Sequence, residues 1–76
     1  MSIYEYIALP TDERAAVLWT RGEFIANAKS ETDGWNLYCL SDFYVEVTLK
    51  NDDIVEITPF KEGERLDKYL SQIKLT

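Results

Sequence analysis

The spacing of apolar residues changes period twice along this chain. Near the N-terminus it is helical: Ile3, Tyr6 and Ile7 fall on one face, and Ser2 followed by Glu5 has the spacing of a capping box. Pro10 ends that turn, because the residue before a proline is steered out of the right-handed helical region. A second helix is predicted from Thr11 as N-cap, with Asp12 and Glu13 in the first turn, where the helix dipole favours anions. Ala15, Leu18 and Trp19 form its expected buried stripe, Arg21 lies in its last turn and Gly22 suits the position just past its end.

From Glu23 the pattern alternates, as in half-buried strands. In the first strand Phe24, Ala26 and Ala28 are expected on one face and Ile25, Asn27 and Lys29 on the other. Ser30 to Gly34 reads as a turn whose Asp33-Gly34 pair can take positive φ at low cost. The second strand runs Trp35 to Leu40, with Trp35, Leu37 and Cys39 opposed to Asn36, Tyr38 and Leu40. Ser41-Asp42 is a tight connection to the clearest strand, Phe43 to Lys50. There Phe43, Val45, Val47 and Leu49 alternate with Tyr44, Glu46, Thr48 and Lys50, which read as the wet face. Asn51-Asp52-Asp53 turns the chain into a fourth strand, Ile54 to Thr58, and Pro59, which lacks an amide donor, fits a strand end or an edge. After Lys61-Glu62-Gly63 the spacing returns to helical from Glu64 to Ile73, with Leu66, Tyr69, Leu70 and Ile73 on one face.

This order predicts one α+β domain over residues 1–76. Its core is a four-stranded antiparallel meander sheet, from about Glu23 to Phe60, with two short N-terminal helices and one C-terminal helix packed on the face bearing Phe43, Val45 and Val47. The alternative is that the sheet pairs with a copy of itself through an edge strand or its open face. Seventy-six residues suffice for one domain. A chain of this size buries only roughly 60% of the surface it exposes when unfolded, so the core is thin.

Charge narrows the list of partners. Fourteen acidic against eight basic residues give −6, which disfavours nucleic-acid backbones and anionic membranes and is compatible with a basic protein. The start carries no basic segment leading into an apolar one, and no apolar run approaches membrane-spanning length, so the expected address is cytoplasmic. With one cysteine, no disulfide can form within the chain.

Candidate chemistry is sparse. Glu46 and Glu56 on neighbouring strands could share acid and base roles if the register brings them together. The chain has no His and only Cys39, so zinc and iron–sulfur sites are not expected. Asn51-Asp52-Asp53, like Glu62 and Glu64, lacks the spacing of a calcium loop. Cys39 sits between Tyr38 and Leu40 with no His to activate it, and Gly22, Gly34 and Gly63 are too scattered to form a phosphate loop. No catalytic, cofactor-binding or metal-binding residue is assigned, and an enzyme is not expected. The candidate interaction surface is Tyr38, Tyr44 and Glu46, placed together on the open face of the sheet, because exposed Tyr gives large contact area at low entropic cost.

The stretches Leu18-Trp19-Thr20-Arg21-Gly22-Glu23-Phe24-Ile25 and Asn36-Leu37-Tyr38-Cys39-Leu40-Ser41-Asp42-Phe43-Tyr44-Val45-Glu46-Val47 are distinctive, as is Ile57-Thr58-Pro59-Phe60 with the segment after it to Leu70. Together they resemble a group of small uncharacterised bacterial α+β proteins, over most of the chain from Leu18 to Ile73. The resemblance implies a compact cytoplasmic α+β domain and carries over no activity or functional residue. Four functional readings follow from the sequence: an acidic protein-interaction or accessory module, acting as monomer or homodimer; an inhibitor or immunity protein of a basic toxin or nuclease; a small-molecule binder or minor enzyme with a pocket between helices and sheet; and a self-assembling structural unit.

Overall fold

The computed structural model describes residues 1–61 and Tyr69. Helix α1 (Ile3–Ile7) opens on the expected capping box: Ser2 Oγ accepts from the Glu5 amide at 3.2 Å, and Glu5 Oε1 accepts from the Ser2 amide at 2.9 Å. Five residues are too few for a self-supporting helix, and its end is secured from outside. Arg14 reaches back to donate from Nη2 to the Ile7 carbonyl (2.7 Å) and from Nε to the Leu9 carbonyl (3.0 Å). In return Tyr6 Oη donates to the Arg14 carbonyl at 2.7 Å. This reciprocal clasp fixes α1 against α2 (Thr11–Arg21).

Helix α2 begins one residue earlier than its sequence suggests. Pro10, with φ −60°, is the N-cap and its carbonyl accepts from the Arg14 amide, so Thr11 is the first helical residue. A proline before the first turn is preset for this role, since the donor it lacks would have no helical partner. Asp12 and Glu13 lie in the first turn and Arg21 in the last, as expected. Gly22 ends the helix in an extended conformation, φ −73°, rather than a left-handed one. Close approach explains the glycine: a Cβ there would stand 2.6 Å from the Leu18 carbonyl oxygen and 2.8 Å from Leu18 Cδ1.

The sheet is a four-stranded antiparallel meander in the order β1 (Glu23–Lys29), β2 (Asp33–Leu40), β3 (Phe43–Lys50), β4 (Asp53–Phe60). Leu40 pairs with Phe43 around Ser41-Asp42, with φ positive only at Ser41; Lys50 pairs with Asp53 around Asn51-Asp52, with φ positive at both. These are the signs of type II′ and type I′ turns, whose twist matches that of the strands. Asp33 and Gly34, in contrast, are the first residues of β2 and not a turn: the connection narrows to residues 30–32, closed by Ser30 N to Asp33 O and by Asp33 N to Ser30 Oγ. Each edge strand shifts register by one residue, β1 at Ile25 and β4 at Val55. With Pro59 also in β4, both edges are poor templates for a further strand.

The Ile25 shift reassigns a face. Phe24 pairs with Tyr38, on the side of Val45, whereas Ala26 and Ala28 pair with Leu37 and Trp35 on the other side. Phe24 therefore does not share a face with the two alanines.

Both faces of the sheet carry apolar cover. On one, Tyr6 from α1 and Leu18 from α2 pack with Leu40, Phe43, Val45, Val47 and Ile57. On the other, Ala26, Ala28, Leu37 and Phe60 pack with Tyr69, and Trp35 and Tyr44 lie against them. The expected last helix lies outside the described residues except for Tyr69, and Tyr69 packs on the face opposite α1 and α2. That placement overturns the expected wet face of β3: Glu46 is 1% exposed.

Candidate functional site

Ladder register decides which chemical groups share a face. Tyr38 opposes Val45, on the helix side, whereas Tyr44 and Glu46 project from the other side of β3. The three residues expected to form one surface are thus divided between two faces. Tyr44 is half-buried, tilted against Phe60 at a ring-centroid distance of 5.6 Å. Glu46 accepts a hydrogen bond at Oε2 from Tyr69 Oη at 2.9 Å, in a buried setting. Neither residue offers an open aromatic surface.

Glu46 and Glu56 do share a face. Glu46 opposes Thr58 and Thr48 opposes Glu56, so the two carboxyl groups sit on a diagonal of the β3–β4 ladder. Their surroundings differ. Glu56 is exposed and accepts from Thr58 Oγ1 at 2.7 Å, while Glu46 is buried against Tyr69. Cys39 is half-buried, and its Sγ lies 3.8 Å from the Ser41 carbonyl oxygen, a weak contact. Among the described residues no group of three or more Cys, Asp or Glu side chains is placed to hold a metal ion, and no helix is long and apolar enough to cross a membrane.

Tyr38 belongs to a different assembly, one that alternation along the strands does not reveal. Its ring meets Trp19 at 5.7 Å and 68°, and Phe24 at 5.6 Å and 75°. Three elements supply the cluster: α2 gives Trp19, β1 gives Phe24 and β2 gives Tyr38. Trp19 is 52% exposed and Phe24 56% exposed, and Tyr38 between them is half-buried. Such tilted aromatic contacts are worth about 0.5–1.5 kcal/mol each beyond area burial, so the rings brace one another while two of them face water. Tyr4, Ile7, Ile54 and Val55 are exposed too, but no ring contact joins them into a comparable cluster among the described residues.

The sequence hides this site for two reasons. Leu18 and Trp19 lie 100° apart around a helix, so when Leu18 points into the core, Trp19 is turned toward the rim of α2. Phe24 reaches the same side as Tyr38 only because of the Ile25 shift, for which the sequence carries no signature.

The space between helices and sheet is filled by Tyr6, Leu18, Phe43, Val45 and Val47, each exposed by 1% or less. A concave volume lies elsewhere among the described residues: an open groove of about 580 Å³ where the β1–β2 loop meets the β3–β4 turn, with Asn27, Lys29, Asn36, Leu49 and Asn51 in its walls. The Asn51 amide donates to the Thr32 carbonyl at 3.4 Å and joins the two loops there.

Comparison with family models, curated proteins and solved structures gave no match to this chain.

Proposed function

We propose that this chain is a protein-interaction module that acts by occupying a partner's surface, without catalysis. The observation that carries the reading is the Trp19–Tyr38–Phe24 cluster. Trp and Tyr are the side chains most often found at energetic centres of interfaces, and here they are held by mutual ring contacts instead of being left flexible. Pre-ordered rings lose little entropy on binding. The net charge of −6 supports a protein partner rather than nucleic acid or an anionic membrane, and it equally supports the narrower role of an inhibitor of a basic protein. A cytoplasmic monomer or homodimer is the form in which we expect it to act.

Co-purification with the intact chain from native lysate tests this reading. A stoichiometric partner should be retained by the wild type and by Tyr44→Ala, and lost by Trp19→Ala/Phe24→Ala. Repeated recovery of the bare protein, or a partner indifferent to the double substitution, refutes it. The sheet-end groove supports a second reading, a binder of small polar molecules, because its volume falls in the range of ligand sites and the cross-strand partners Asn27 and Asn36 lie side by side in its wall.

A further inference from the structure

The three rings differ in one respect from an ordinary apolar patch. Trp19 and Phe24 both stand steeply to Tyr38, so the cluster turns aromatic surface to solvent at several angles rather than as one flat face. The face of an aromatic ring carries the negative lobe of its quadrupole and attracts cations, Trp most strongly. The charge of the whole chain points the same way: at −6 it draws cations in from solution. Nearest in sequence to the cluster, Arg21 and Glu23 flank Gly22, both exposed and of opposite sign, so this flanking pair adds no net charge of its own.

We infer that the Trp19–Tyr38–Phe24 cluster receives a cationic side chain, the guanidinium of Arg or the ammonium of Lys, presented by a basic protein partner. The inference rests on the interaction-module reading and specifies its chemistry. A cation seated on two or three rings gains attraction that a leucine-lined patch of equal area does not give. The acidic chain accelerates the encounter, and the rings fix where it ends.

The test uses the intact protein and two short synthetic peptides of equal length, one alternating Arg with Gly and one alternating Glu with Gly. Binding is followed by NMR, with the Trp19 indole N–H resonance assigned by its loss in Trp19→Phe. The Arg peptide should shift resonances of Trp19, Phe24 and Tyr38 and bind more weakly as salt is raised; the Glu peptide should do neither. Phe24→Leu, which keeps apolar area on an exposed strand position but removes the ring, should weaken the Arg peptide by about three- to ten-fold. Shifts spread over Glu31, Asp52 and Asp53 instead of the cluster overturn the inference, as does unchanged affinity in Phe24→Leu. If a lysate partner depends on Trp19 and Phe24 while the Arg peptide ignores them, the cation assignment falls and the module reading stands. If neither depends on them, both fall.

Discussion

Removing one hydroxyl group, in Tyr69→Phe, tests how the second face of the sheet is held. Tyr69 is 2% exposed and Glu46 1% exposed, with Oη and Oε2 2.9 Å apart. The substitution preserves the ring that packs with Ala26, Leu37 and Phe60, so the loss falls on the hydroxyl group, whose buried hydrogen bond goes to the Glu46 carboxyl group. Losing such a bond costs about 1–3 kcal/mol, because the acceptor has been taken out of water. At about 2 kcal/mol, Tm should fall by about 8–16 °C in a domain of this size. With a urea slope near 1 kcal/mol/M the unfolding midpoint should drop by about 2 M. Urea titration followed by far-UV circular dichroism, on Tyr69→Phe, Glu46→Gln and the double variant, gives the coupling between the pair, expected at about 1–2 kcal/mol. A Tyr69→Phe stability within about 0.5 kcal/mol of wild type, or strictly additive substitutions, would refute the pairing as a structural bond.

Three further outcomes follow from local geometry. Gly22→Ala should destabilise by about 1–3 kcal/mol in thermal melts, since its Cβ would press on the Leu18 carbonyl oxygen, a backbone atom that cannot rotate aside as the Leu18 side chain can. Asp52→Gly should stabilise by about 0.5–1 kcal/mol, because Asp52 sits at φ 68° in the second place of a turn that prefers glycine; an unchanged melting curve would count against that turn. Burial pushes the Tyr6 phenol up to about 12, against the opposing pull of the Arg14 guanidinium. The unfolded chain ionises at about 10 while the fold keeps its proton, so stability that is intact below pH 10 is lost between about 10 and 12, at no more than about 1.4 kcal/mol per pH unit. The stability advantage of wild type over Tyr6→Phe, measured by denaturant titration, should therefore narrow between about pH 9 and about pH 11.5.

The parts of the fold that were legible in the sequence are those fixed by neighbours along the chain. Strand β3 is bounded as its alternation indicates, Phe43 to Lys50, and the capping box of Ser2 and Glu5 forms as its spacing requires. Both tight turns, Ser41-Asp42 and Asn51-Asp52, lie where polar pairs interrupt apolar alternation. What stayed hidden depends on distant residues. Alternation puts Glu46 opposite Val45 and Val47 but does not say whether its face meets water, and the cover arrives 23 residues later with Tyr69. A single register shift at Ile25 carries Phe24 across the sheet to Tyr38, and a proline cap moves the start of α2 by one residue. The candidate surface was half legible for the same reason: Tyr38 was singled out, while its companions depended on a helix angle and a bulge.

Each strand pairs only with its neighbour in the chain, and two of the three connections are two-residue turns. Loop closure is then nearly free of long-range search, and contacts form close to where the chain is already near itself. The sheet should zip outward from the β2–β3 hairpin, on the microsecond scale of isolated hairpins for its first step. The N-terminal helices and Tyr69 come from the two ends of the chain and can settle on their opposite faces only once that hairpin exists. Stopped-flow refolding should show the aromatic signal of Trp19 lagging behind strand formation, and a synthesising ribosome would release the sheet's first hairpin well before the residue that closes its second face.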